Sequence, residues 1–132
     1  MIAWLRRWGP SILMMGLIFQ ASGTPGNDLP DFGSWDRWVL KGGHMLGYAL
    51  LGAAYLHGLA FGKKSHWRTW LLAAILAGIY AATDELHQSF TPERTPAFFD
   101  VGLDTLGATL GAGFWAWVRP ASKARVRPGT AG

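Results

Sequence analysis

Apolar residues fall into four blocks, at 8–20, 42–61, 67–83 and 98–118, with polar stretches between them. A soluble helical bundle would interleave charges at helical period along each block, and these blocks carry almost none. Two of them are short for the membrane reading this suggests. Residues 69–83 and 105–118 hold no charged side chain, and at 1.5 Å per residue each run covers roughly 22 Å against roughly 30 Å of hydrocarbon. To span, the last two helices must draw Asp84 and Asp104 to the membrane boundary. A carboxylate at that depth is costly unless paired or facing a wet cavity, so it marks a candidate functional site. The expected fold is an all-α membrane protein, a bundle of four transmembrane helices occupying residues 1–118. A basic cytoplasmic tail, read as disordered from its composition, follows at 119–132.

Charge placement sets the orientation. Arg6, Arg7, Lys63, Lys64, Arg68, Arg119, Lys123, Arg125 and Arg127 lie on one side if the blocks alternate, which is 9 of the 12 basic residues. The positive-inside rule then puts both termini in the cytoplasm, as in a multi-pass protein of the inner membrane. All 8 acidic residues fall on the outer side. Tryptophans 4, 8, 67, 70, 115 and 117 mark the inner boundary, and Trp35 and Trp38 the outer one, as in an aromatic belt. The net charge of +4 therefore reflects orientation in a bilayer and calls for no nucleic-acid partner. With no cysteine there is no disulfide or thiol chemistry. The N-terminal run ending Ala21-Ser22-Gly23 also fits a cleaved signal peptide, and the site below does not depend on it.

Residues 21–40, rich in Gly, Pro and Asp, read as an irregular loop. Pro92 ends the third helix and Pro96 begins the fourth. In the second helix Lys41, His44 and Tyr48 share a face. In the third, Asp84 and Gln88 share one, with His87 close beside it. In the fourth, Asp100 and Asp104 lie one turn apart, and Gly107 and Gly111 continue their stripe. Glycine stripes mark close packing in membranes, so that face should point into the bundle. Gly43 and Gly47 suggest a similar patch beside His44. The three groups can converge on one outward-facing pocket. Lys41 and Arg94 would hold an anion, and His44, Asp84 and Glu85 would carry any acid–base chemistry. Tyr48, Gln88, Asp100 and Asp104 would complete the ligand-binding set. Such oxygen-rich donors suit magnesium or calcium, but no spacing specific to a metal is present. Glu93, beside Pro92, reads as a solvated turn residue.

The chain resembles the VanZ-like family of bacterial membrane proteins. The resemblance rests on Lys41-x-x-His44-x-x-x-Tyr48-x-x-Leu51-Gly52, on Asp84-Glu85-x-x-Gln88-x-Phe90-x-Pro92-x-Arg94, and on Asp100-Val101-x-x-Asp104-x-x-Gly107-x-x-x-Gly111, with Ser22-x-x-Pro25-Gly26 opening the first loop. Two positions depart from it: Leu40 stands where the family has an acid, and Asp104 where it has asparagine. The resemblance implies a small four-helix protein of the bacterial envelope, in a family named for a member linked to teicoplanin resistance. It supplies no settled activity. The expected function is binding or processing of a headgroup or lipid-linked envelope precursor, with glycopeptide resistance as an outcome. The alternative is a non-catalytic accessory or transport protein whose polar cluster is a gate or a packing network.

Overall fold

A computed structural model describes residues 1–95 and 97–119. Pro96 and the tail from residue 120, expected to be a helix start and a disordered segment, lie outside the described residues. The described chain is all-helical and contains no strand. Its helices are α1 (Ile2–Ser22), α2 (Asp36–Leu59), α3 (Trp67–Gln88) and α4 (Phe98–Val118). Cross-helix contacts fix their directions. Ser22 meets Asp84 and Lys41 meets Asp100 at one end; Arg7 reaches the Gly58 carbonyl and Arg119 the Ala60 carbonyl at the other. The helices therefore alternate up and down. One end carries the acidic residues, and the other carries Arg6, Arg7, Lys63, Lys64, Arg68 and Arg119.

The loop expected at 21–40 is more ordered than its composition suggests. Single 3-10 turns form at Gly26–Asp28 and Gly33–Trp35, and α2 starts at Asp36 rather than near Gly42. Aspartates make this possible. Asp31 accepts a hydrogen bond from the Gly33 amide at 2.7 Å, and Asp36, in the first turn of α2, accepts one from the Phe32 amide. A carboxylate there also suits the positive end of the helix dipole. At its far end α2 stops before Gly62, whose φ of +73° is a left-handed conformation that glycine adopts freely.

The packing is inverted relative to a soluble protein. The buried residues of α3 and α4 are mostly small: Ala73, Ala77 and Ala81 on one, Gly107, Ala108 and Ala112 on the other. Leu13, Leu17, Leu46, Leu50, Ile75, Ile79, Leu106 and Leu110 point outward. Large aliphatic side chains exposed along all four helices are what a hydrocarbon solvent accepts and water does not. By length and composition alone, α3 is the one helix among the described residues that qualifies as a membrane span.

The α2–α4 seam is the tightest in the molecule. A Cβ on Gly111 would run into the Ala49 carbonyl, and one on Gly52 into the Ala108 carbonyl. At Gly107 it would come within 2.5 Å of the Met45 carbonyl oxygen. The stripe through Asp100 and Asp104 does point into the bundle. Gly43 does not match the expected patch, because a Cβ there meets nothing within 4 Å, and Gly47 makes only an ordinary contact with Ile18.

Candidate functional site

The glycine seam positions the polar groups. By bringing α4 against α2 it sets Asp100 opposite Lys41, with which it forms an ion pair, and Asp104 opposite His44, whose Nδ1 lies 3.6 Å from the carboxylate. That distance is an ion-pair approach rather than a hydrogen bond. Asp104 is buried and His44 partly so.

On α3, Glu85 points toward the start of α4. Its carboxylate accepts the Ala97 amide at 3.0 Å, which places a negative charge at the α4 N-terminus. Glu85, grouped with the acid–base candidates on sequence, thus has a capping role as well. Arg94, in the loop between α3 and α4, turns back to the end of α1. Its Nε donates to the Thr24 carbonyl and its terminal nitrogen to the Ala21 carbonyl, both at 3.1 Å. A cation at a helix C-terminus is favourable, and the guanidinium fork adds charged donors to two carbonyls there. Among the described residues Arg94 forms no ion pair, so its charge is not cancelled by a contacting carboxylate.

These groups border a cavity of about 380 Å³ at the acidic end of the bundle. Lys41, His44, Glu85, Gln88, Arg94, Asp100 and Asp104 all line it. Two residues of the expected set do not. Tyr48 is fully buried between His44 and Tyr80, its ring centroid 6.5 Å from the one and 6.2 Å from the other. Asp84, 3% exposed, sits behind the cavity wall. There its Oδ2 accepts hydrogen bonds from Ser22 Oγ at 2.7 Å and Gln88 Nε2 at 3.4 Å. Gln88 Nε2 also donates to Ser22 Oγ at 3.2 Å. The other Asp84 oxygen and the neighbouring Tyr48 hydroxyl are both buried without a hydrogen-bond partner. Gln88 alone carries this inner network to the cavity surface.

Sequence reasoning missed three parts of the site. Ser22 contributes the shortest bond to Asp84, and its signal was the Ser22-x-x-Pro25-Gly26 motif. Glu93 is exposed in a turn, as expected, but it also borders the cavity and is held at φ 60°, a left-handed conformation unusual for glutamate. Gly26 explains how: its amide donates to the Pro92 carbonyl at 3.2 Å, and a Cβ there would come within 2.5 Å of the Glu93 carbonyl oxygen. Only glycine lets the first and third loops meet so closely. His87, expected beside the Asp84 and Gln88 face, is not part of the cavity lining and stacks on Phe19 at 4.4 Å, because its ring packs against α1. His57 lies at the other end against the Arg6 carbonyl. No group of three or more metal-ligating side chains occurs among the described residues.

An all-helical bundle with aliphatic side chains outside, small residues inside and a charged cavity at one end defines a membrane-associated helical protein. Its sequence matches the VanZ/LLP1 family over residues 8–119, and the chain belongs to that family. At the family level this marks an envelope-related membrane protein. No curated protein and no solved structure matches the chain.

Proposed function

We propose that this protein is a four-span protein of the bacterial inner membrane that binds the polar part of a cell-envelope component, such as a lipid-linked precursor, at the outer membrane face. The observation that carries the reading is the cavity. Two cations, a histidine and four carboxylates gather at one end of a bundle whose core is alanine, tyrosine, leucine and isoleucine. Charged groups at a span end are costly unless used or paired, and Arg94 keeps its charge free of a carboxylate. The His44–Asp104 pair offers a place to hold or move a proton if the bound component is also processed. Tolerance of a glycopeptide such as teicoplanin is the expected consequence, through a change in what the drug meets at the surface.

Both termini and the α2–α3 loop face the cytoplasm in this reading. Six basic residues of the described chain lie at the end opposite the cavity (Arg6, Arg7, Lys63, Lys64, Arg68, Arg119), in accord with the positive-inside rule. A cysteine at exposed Ser34 should react with an impermeant thiol reagent in intact cells, and one at exposed Lys64 should not. The reverse labelling would overturn the orientation.

The function is tested by expression in a teicoplanin-sensitive host. His44→Gln and Arg94→Gln should remove protection while membrane levels of the protein hold. Protection equal to that of the unsubstituted protein in both variants would sink the cavity as the working site. The accessory reading, in which the polar cluster is a packing network, draws its support from Asp84, whose bonds to Ser22 and Gln88 are buried. That description fits Asp84 and leaves the cavity-lining residues unexplained.

A further inference from the structure

A second cavity, about 320 Å³, runs between α1 and α2. Its lining is almost wholly apolar, with Met14, Leu17 and Ile18 on one wall and Val39, Gly43 and Gly47 on the other. It adjoins the polar cavity: Leu29, Leu40, His44 and Arg94 border both. The groove exists because α2 presents no side chain at Gly43 or Gly47. A Cβ at Gly43 would enter open space, whereas one at Gly52, on the opposite face of α2, would meet the α4 backbone at Ala108.

Chemistry therefore changes in order across the two adjacent cavities. The apolar groove comes first, then the Arg94 guanidinium at the junction, then Glu85, Glu93, Asp100 and Asp104 beyond it. Lys41 is taken up by Asp100. We infer that the site binds a lipid lengthwise: one hydrocarbon tail in the α1–α2 groove, a phosphate at Arg94, and a hydroxyl- or amine-bearing end among the carboxylates. This rests on the headgroup reading above and adds which helices seat the tail and in what order the ligand lies. The shared wall of the two cavities and the uncancelled Arg94 charge in it select an amphiphilic anion over a free phosphate, for which a hydrophobic groove has no use. A carboxylate-lined far end favours donors, and an ammonium above all.

The test uses the full chain in phosphatidylcholine nanodiscs with three probes: palmitoyl lysophosphatidylethanolamine, monopalmitoylglycerol (tail without phosphate) and phosphoethanolamine (headgroup without tail). Native mass spectrometry counts retained lipid, and calorimetry follows phosphoethanolamine. One lysophosphatidylethanolamine should be retained and monopalmitoylglycerol should not. Gly43→Leu, which fills the groove without touching the polar cavity, should lower lysophosphatidylethanolamine occupancy roughly tenfold, as expected for a displaced stretch of tail, and leave phosphoethanolamine binding unchanged. Arg94→Gln should lose both phosphate probes, and Arg94→Lys should retain them. If Gly43→Leu does not fold, Leu17→Trp fills the same groove from α1. Lysophosphatidylethanolamine retention indifferent to the groove variant, with phosphoethanolamine still bound, would overturn the tail assignment and leave the headgroup reading standing. Failure of both phosphate probes to bind would remove the headgroup reading and this inference with it. Equal retention of both lipids, insensitive to Arg94→Gln, would mean ordinary annular lipid and would also overturn it.

Discussion

The two sides of α2 are built from the same residue type to opposite effect. Facing α4, Gly52 accepts the Ala108 backbone at a separation no side chain would allow, and Gly107 and Gly111 do the same for Met45 and Ala49. Facing α1, Gly43 and Gly47 admit no such backbone, and the space they leave is a groove. One set of glycines closes a helix pair, and the other borders a groove at the end of one. The difference lies in the partner: α4 brings its own glycines and alanines to the seam, whereas α1 brings Met14, Leu17 and Ile18 to the groove and closes on α2 only further along, where Trp8 packs on Gly58. A tight seam suits rigid placement of charges, and Lys41–Asp100 and His44–Asp104 both bridge it. An open seam suits a guest.

The sharpest way to break this comparison is one methyl group placed on each side. Gly111→Ala should destabilise the bundle by about 3 kcal/mol or more, because the colliding atom is backbone and cannot rotate away. Gly43→Ala should be neutral or stabilising by up to about 1 kcal/mol, since helix propensity gains and nothing is struck. Both are read as thermal unfolding in detergent. Equal effects would mean that the two faces are packed alike.

Next in size is the inner network. Asp84→Ala removes the acceptor for Ser22 and Gln88 and should cost about 2–4 kcal/mol, by leaving buried donors unpaired. Asp84→Asn keeps the shape and an acceptor oxygen, so folding should be nearly unchanged. Protection against teicoplanin should nevertheless fall if the charge is used, and its full retention in the asparagine variant would assign Asp84 to packing alone.

A double-mutant cycle across the seam is expected to show a smaller effect. Lys41→Met and Asp100→Leu should each destabilise, and the pair together should cost less than the sum, with a coupling of about 1–2 kcal/mol. No coupling would mean that the glycine contacts alone hold α2 to α4. Smallest of all, Glu93→Gly should stabilise by about 0.5–1 kcal/mol, by relieving a left-handed glutamate, while lowering affinity for any ligand that meets its carboxylate. Unchanged stability would show that the turn carries no strain.

The four helices were legible because hydrophobic periodicity and block length are properties of consecutive residues. So was the inward stripe of α4, since Asp100, Asp104, Gly107 and Gly111 fall three or four apart on one helix face. Residue spacing also grouped Lys41 with His44 and Asp84 with Gln88. It could not say which members of a face meet a cavity and which meet a neighbouring helix. Tyr48 and Asp84 lie on the expected faces, yet burial against other helices keeps them behind the wall.

The sequence by itself determined the helices, their polarity and the segregation of charge to opposite ends, because backbone hydrogen bonding and transfer to an apolar solvent act on each segment separately. Only the tertiary structure decided that Arg94 caps α1, that Glu85 caps α4, that Ser22 partners Asp84, and that Gly43 opens a groove while Gly111 closes a seam. Each of those depends on which atoms of a distant segment arrive beside the residue. A glycine is identical in both settings until its neighbour is in place.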